Sequence, residues 1–263
     1  MALNLFKSTV GLAMFLVTLP MIGVPLQPAG ATAADWMQLI VSGVLGIGVA
    51  DTLFLASLNR LGAGTTAVVD GLYSPFVILC AWVYLGEPIG SAVLIAMALM
   101  IGAILLSTSF AAVRGRAPKQ VASGIALGVA GIFLMSVGLV IAKPVLAHSD
   151  AWWVTTVRLA AGTIFLAIQA TTRQNRADVV RTFRPSRTWR LTVPAGMIGC
   201  YLAMITWILG LKYTFASKAS VLNQTSTVFV VLLAALFLKE QLTARRGLAV
   251  GLAMAGATLV TWT

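Results

Sequence analysis

Charge is what this sequence has least of. Only 10% of its 263 residues are Asp, Glu, Lys or Arg, against about 25% in a soluble domain, so there is too little polar surface to wrap a core in water. Acidic side chains are the scarcer kind, 7 against 18 basic, which leaves a net charge of +11. Two cysteines exclude a disulfide scaffold, and 24 glycines without a three-residue period exclude collagen. One histidine, His148, is too few for a metal cluster. The phosphate-cradling G-x-x-x-x-G-K-S/T loop is absent, and so are the G-x-S-x-G and H-E-x-x-H signatures. An ATP motor, a serine hydrolase and a zinc protease are therefore excluded, and no cofactor or metal is expected.

What is present is apolar length. The chain is 59% hydrophobic with a mean hydropathy of +0.97. A helix needs about 20 apolar residues to cross the hydrocarbon, and nine runs qualify: 4–24, 36–58, 65–85, 91–113, 122–143, 151–172, 190–211, 218–238 and 243–262. Alternating strand patterns are missing, so the fold class is an all-α integral membrane protein, a multi-pass bundle of about nine transmembrane helices. The first run has a rival reading. Lys7, the apolar stretch 8–24 and Pro28-Ala29-Gly30-Ala31-Thr32-Ala33 follow the grammar of a cleaved signal peptide, although the apolar stretch is longer than usual and holds Pro20.

Loop charges set the orientation. One side receives Arg60, Arg114, Arg116, Lys119, Arg173, Arg176, Arg181, Arg184, Arg187, Arg190, Lys239, Arg245 and Arg246, with Lys7 close by; the other receives Lys143, Lys212 and Lys218. The basic side should face the cytoplasm, with the N-terminus inside and the C-terminus outside. The loop 173–190, with six Arg and one Asp, reads as a topogenic segment against anionic headgroups. Val179, Val180 and Phe183 let part of it lie in the interface. It lacks the aromatic stacking surface of a nucleic-acid binder, so no nucleic-acid partner is expected.

The two halves repeat. SPFVILCAWVYLGEPIG at 74–90 aligns with TVFVVLLAALFLKEQLT at 227–243, and the same register pairs Asp70 with Asn223, Tyr73 with Ser226 and Ser74 with Thr227. GAILL at 102–106 meets GATLV at 256–260 after a one-residue slip, and NLFKSTVG at 4–11 meets TTVRLAAG at 155–162, setting Lys7 opposite Arg158. The domains are therefore residues 1–115, a first repeat of four helices, and residues 120–263, a second of five. Repeats with an odd number of helices enter the membrane from opposite sides, which is the symmetry that alternating access uses.

These segments resemble a known family. ALFLKEQLT with LKYTFASKASVLNQTSTVFVVLLAALF looks like the EamA repeat of the drug/metabolite transporter superfamily, and YLGEPIG with ASLNRLGAGTTAVVDGLYSPF is a looser copy. The resemblance covers essentially the whole chain and is strongest over 196–262. It implies two EamA repeats and outward secondary transport of small metabolites, amino acids or drugs. Family members usually have ten helices, so the resemblance also implies that the first is lacking here. Their two ends commonly share the cytoplasm, whereas the loop charges here place the C-terminus outside.

Charges inside spans cost about 2.5–3.5 kcal/mol each on insertion scales and need a reason. Asp51 lies deep in the second span with no basic residue on its own helix until Arg60, which suits a proton carrier or cation site. Asp70 lies in the third. Arg158 and Lys7 read equally well as halves of structural ion pairs. Asp70, Tyr73, Ser74 and Val77 share one helix face at i, i+3, i+4 and i+7. Asn223, Gln224, Ser226 and Thr227 form the related face, and two matched polar faces favour a wet cavity over simple interhelical hydrogen bonding. Tyr201 and Trp207 are candidate walls. Pro75 and Pro194 are candidate kinks. Trp36, Trp152, Trp153, Trp189 and Trp262 read as interfacial anchors. Glu87 and Glu240 read as caps for the helices that follow them, and G-x-x-x-G at 124–128 and 247–251 as close packing.

The expectation is a cell-membrane transporter, inner-membrane in a bacterium, binding a small molecule and lipid as a monomer or homodimer, with Asp51 and Asp70 as its titratable groups. A membrane enzyme using the two aspartates as an acid/base pair, and a non-transporting scaffold, are the alternatives.

Overall fold

A backbone that cannot hydrogen-bond to solvent must bond to itself, and an apolar chain in lipid answers with helices. In the computed structural model, which describes residues 2–107, 117–172, 176–226, 229, 236 and 244–262, every element is helical. The order is α1 Ala2–Met21, α2 Ala33–Leu61, α3 Ala63–Asp70, α4 Tyr73–Leu85, α5 Ser91–Ser107, α6 Pro118–His148, α7 Ala151–Thr172, α8 Arg176–Phe183, α9 Trp189–Tyr213, α10 Ala216–Asn223 and α11 Ala244–Thr261. Among the described residues six helical stretches are long and apolar enough to cross a membrane, one of them, Val68–Leu85, running through the junction of α3 and α4, and α5 and α11 add two shorter apolar ones. The span expected at 218–238 is described only in part. Thr227 and Glu240, like the loop residues Arg114, Arg116, Arg173 and Lys239, lie outside the described residues.

The chain forms two compact units, 1–52 with 137–213, and 53–136 with 214–263. This is a different partition from the sequence repeats, because each unit draws on both.

In the first unit α1 and the first part of α2 pack on α7, and α1 also packs on α9. Glycine makes the approach possible. A Cβ on Gly43 would collide with the carbonyl of Arg158, and one on Gly11 would stand 2.6 Å from the carbonyl oxygen of Cys200. Phe15 and Leu19 of α1 are fully buried, so this segment has the packed face of a bundle helix. The arginine-rich segment folds in part as α8, which turns Phe183 onto Phe6 with ring centroids 5.3 Å apart and sets Val179 and Phe183 against Leu5, Leu166 and Ala170. Trp189 completes this cluster at 5.2 Å from Phe6. Val180 stays exposed.

Trp153 departs from the anchor reading. It has no exposed surface, packs edge-on to Trp36 at 5.2 Å and donates its indole N–H to the Leu26 carbonyl at 2.9 Å. Its place is structural, whereas Trp262 is exposed as an anchor should be. Lys143 and Lys212 donate to the Leu211 and Ser149 carbonyls, bonding the free acceptors at helix C-terminal ends.

In the second unit α5 and α11 pack along each other, with Met100 and Ala103 of α5 and Ala249 and Ala253 of α11 at the core. Gly124 and Gly128 seat α6 against Leu61 and Ser57, as the G-x-x-x-G spacing predicts, while Gly247 and Gly251 face open space.

Gly43→Ala should destabilise the protein by about 1–3 kcal/mol, since the neighbouring backbone cannot give way. Gly210→Ala, where a Cβ meets nothing, should be neutral or stabilising by up to about 1 kcal/mol. Thermal unfolding of the two variants in detergent checks the difference.

Candidate functional site

Four helix irregularities organise the polar residues, and they come in two matched pairs. In α2 the residues Val44–Val49 form a π-helical turn closed by the Ala50 N–H on the Leu45 carbonyl. In α9 the residues Ile198–Leu202 do the same, closed by Ala203 on Ile198. The register that sets Ser74 against Thr227 also sets Leu45 against Ile198, so the two turns are repeat-related. Pro194, which has no N–H to give, lies one turn ahead of the second. Such turns cost helix regularity and concentrate at functional sites.

The second pair are breaks. The expected single helix over 65–85 is two, α3 and α4, separated at Gly71 and Leu72, whose N–H groups bond back to Val68 and Val69 at 3.2 and 3.0 Å. After α10, Gln224 and Thr225 bond back to Val221 and Leu222 at 3.1 and 3.0 Å. These positions again match in the repeat register. Pro75 is therefore not a kink. It stands in the first turn of α4, where its missing N–H costs nothing. The break also corrects the helical face assumed for Asp70, Tyr73 and Ser74. Asp70 ends one helix and Tyr73 begins the next.

Around the π-turns, in the first unit, lies a charged cluster. Asp51 sits about 27 Å along α2 at 1.5 Å per residue, two residues beyond the turn. Lys7 of α1 donates to its Oδ2 at 3.4 Å. The pair is partly open, with side-chain exposures of 42% for Lys7 and 19% for Asp51. The partner that Asp51 lacks on its own helix is thus supplied by another. Asn4, one turn before Lys7, is 3% exposed and lies beside the Asp51 carboxylate. Next to Asp51, Thr52 donates to Gln169 Oε1 at 3.1 Å. Tyr201, inside the α9 turn, is 2.6 Å from the Thr18 hydroxyl and stacks edge-on to Phe15 at 4.9 Å. Trp207 is partly buried on α9. Arg158 is buried elsewhere in this unit. Its Nε donates to Ser42 Oγ at 2.7 Å, and Ser42 donates in turn to the Gly138 carbonyl. That chain ties α7, α2 and α6 together.

Around the breaks, in the second unit, α4 and α10 lie side by side. Ser74 donates to the Ser220 carbonyl at 2.9 Å, and Gln224 Nε2 to the Asp70 carbonyl at 3.4 Å. Tyr73, Ser74 and Gln224 are buried, while Asn223 and Ser226 are exposed. A polar residue left open at a break within a span has water, not lipid, as its natural neighbour. Glu87 corrects its expected role. It caps not the following α5 but α10: its Oε1 accepts the Ala216 N–H at 2.8 Å, and its Oε2 accepts the Ser217 N–H at 3.0 Å and the Ser217 hydroxyl at 2.8 Å. No sequence pattern near Ala216 announces this, since the cap lies 129 residues away.

A cleft of about 430 Å³ opens in the first unit between Leu16, Trp36, Ile40, Trp153, Ile164 and Phe165. It is apolar and contains none of the predicted site residues. No group of three metal-binding side chains occurs among the described residues.

The molecule is thus a multi-pass helical membrane protein whose polar side chains collect at repeat-related helix defects. The model of the EamA-like transporter family matches residues 1–109 and 122–262, both repeats, and the chain belongs to this family. No curated protein matches the sequence. A solved crystal structure superposes with a TM-score of 0.79 at 19% identity, covering 99% of this chain and 88% of that one, which establishes a shared fold.

Lys7→Ala should leave Asp51 uncompensated. Breaking a fully buried pair costs about 3–5 kcal/mol, but solvent screening of this open pair reduces the expected loss to about 1 kcal/mol. Adding Asp51→Asn should recover part of it in a double-mutant thermal-unfolding cycle. Strict additivity of the two substitutions would mean that the pair contributes nothing.

Proposed function

We propose that this protein is a secondary transporter that exports small metabolites by alternating access, with Asp51 and Asp70 as its titratable groups. The observation that carries the reading is the placement of these two carboxylates beside repeat-related defects in membrane-spanning helices of a transporter family. Interrupted helices build the binding sites of inverted-repeat transporters. Intramembrane carboxylates with no purely structural explanation mark ion or substrate paths.

The Lys7–Asp51 pair supports a finer reading. Two opposite charges 3.4 Å apart and partly exposed complement a ligand carrying both charges. This favours amino-acid-like substrates over purely apolar drugs. Asn223, Gln224, Ser226, Tyr73 and Ser74 supply neutral polar contacts at the second cluster. The enzyme alternative is weaker, because an aspartyl dyad shares a proton between two carboxylates, and the Asp51 carboxylate is bonded to an ammonium.

Untargeted analysis of the medium of overexpressing cells tests the proposal, with an empty vector and the Asp51→Asn/Asp70→Asn double variant as controls. A compound enriched with wild type alone is the expected result. Equal media from all three, with the protein present in the membrane, would reject export. For the proton step, Asp51→Asn should flatten the pH dependence of transport of that compound. Unchanged pH-dependent transport would remove Asp51 from coupling.

A further inference from the structure

We propose that Glu87 is a positioning residue of the transport cycle: a latch that holds the α4–α10 seam closed at one membrane face and parts when that face opens. The inference rests on the transport reading above, and in the orientation the loop charges predict, the face is the outer one.

The seam is fastened at Ser74 and at Glu87, and Gln224, just after α10, adds a bond to the end of α3. Gln224 to the Asp70 carbonyl and Ser74 to the Ser220 carbonyl are single bonds from neutral side chains. Glu87 makes three bonds with one carboxylate that is 7% exposed. Bonds to an ionised acceptor are roughly twice as strong as neutral ones, so the end of the seam at Glu87 is its strongest point.

The source of the cap is the second argument. A helix start is ordinarily satisfied by the residue just before it. Here that residue is Phe215, which has no side-chain acceptor. The N–H groups of Ala216 and Ser217 depend instead on the loop between α4 and α5. A local cap would stabilise α10 wherever α10 went. A remote cap stabilises it only while α4 and α10 remain together, which makes the contact conditional on conformation.

The chemistry of release is the third. Among the described residues Glu87 has no ion-pair partner. Its charge is held by N–H dipoles at a helix start. When such a contact parts, water replaces each bond and no opposite charge is stranded. The loop itself turns at Gly86, whose φ of +67° suits glycine, and continues through Pro88 to Gly90.

The test reads access, not flux, so it needs no known substrate. In a Cys80→Ala/Cys200→Ser background, Ser74→Cys places a thiol in the seam and Ser136→Cys places a control thiol elsewhere in the core. Vesicles are treated with a charged, membrane-impermeant methanethiosulfonate on the side that carries Glu87. Glu87→Ala should speed labelling at Ser74→Cys at least tenfold and leave Ser136→Cys unchanged. Glu87→Gln should behave like Glu87→Ala, because its amide NH₂ would meet a backbone donor. Glu87→Ala/Phe215→Asp restores a local cap but not the tether, so it should recover thermal stability while labelling stays fast. Unchanged labelling in folded Glu87→Ala would overturn the latch. So would equal acceleration at both thiols, or a return to slow labelling when the local cap is restored. Each of these outcomes would leave the export reading standing. A failed export experiment would remove the transport role, whatever the labelling shows.

Discussion

A buried backbone N–H or C=O without a partner costs several kcal/mol in hydrocarbon, and this cost governs where the chain can depart from a regular helix. Among the described residues departures are few, and each is answered by a hydrogen bond. The π-turns in α2 and α9 close their own bonds one residue further along. The breaks at 71–72 and 224–225 tighten to bonds spanning three residues. The start of α10 borrows a carboxylate. Polar side chains follow the same economy. Thr9, Thr66, Ser136, Thr155, Thr156 and Thr163 each return their hydroxyl to the carbonyl four residues back, which satisfies them locally. Such residues are polar in sequence without tying helices together, whereas Thr18 and Thr52 make the same local bond and also reach Tyr201 and Gln169. The groups that reach across to another helix are a smaller set, and they include Asp51, Ser74, Arg158, Gln224 and Glu87.

The repeat makes these departures more than accidents. A single π-turn or break can be a local compromise between packing and sequence. Two of each at matched positions, in segments with little sequence in common, say that the backbone irregularity itself is what the two repeats share. Val44–Val49 and Ile198–Leu202 have no motif in common beyond a glycine and apolar neighbours, yet both widen by one residue. Around them glycines of adjacent helices admit the backbone. Gly138 meets Gly46, and Gly11 meets Cys200. Close packing against a widened turn leaves it little freedom except movement with its neighbours, the condition under which a packed helix pair has discrete arrangements instead of a continuum.

Much of the architecture was legible beforehand, for physical reasons. Hydropathy locates spans because lipid enforces helix length, and the repeat register was visible in 74–90 against 227–243 because the hydrophobic pattern there is dense. Carried upstream, the register pairs Asp70 with Asn223, both at the C-terminal ends of short helices. What remained hidden was any contact between residues far apart in sequence. Nothing near Asp51 announces Lys7, and nothing near Ala216 announces Glu87. Pro75 misled for a different reason. Proline marks either a kink or a helix start, and only the location of the break at Gly71 decides between them. Trp153 misled because position near a span end does not distinguish a residue at the interface from one packed beneath a loop.

Asp51 and Glu87 recruit partners across the fold in opposite ways. Asp51 is met by a lysine, lies beside the buried Asn4 amide and remains partly open. A partly exposed pair on a flexible side chain can exchange one partner for another, which is the condition for admitting something else. Glu87 is met by three dipolar donors, is closed to solvent, and has its carboxylate oxygens engaged. Its surroundings have no capacity to spare, which is the condition for holding two elements together. On the transport proposal the first kind of site would accept cargo without trapping it, and the second would hold until the bundle moves. A carboxylate becomes one or the other according to whether its partners come from a flexible cation or from fixed backbone at the start of a helix.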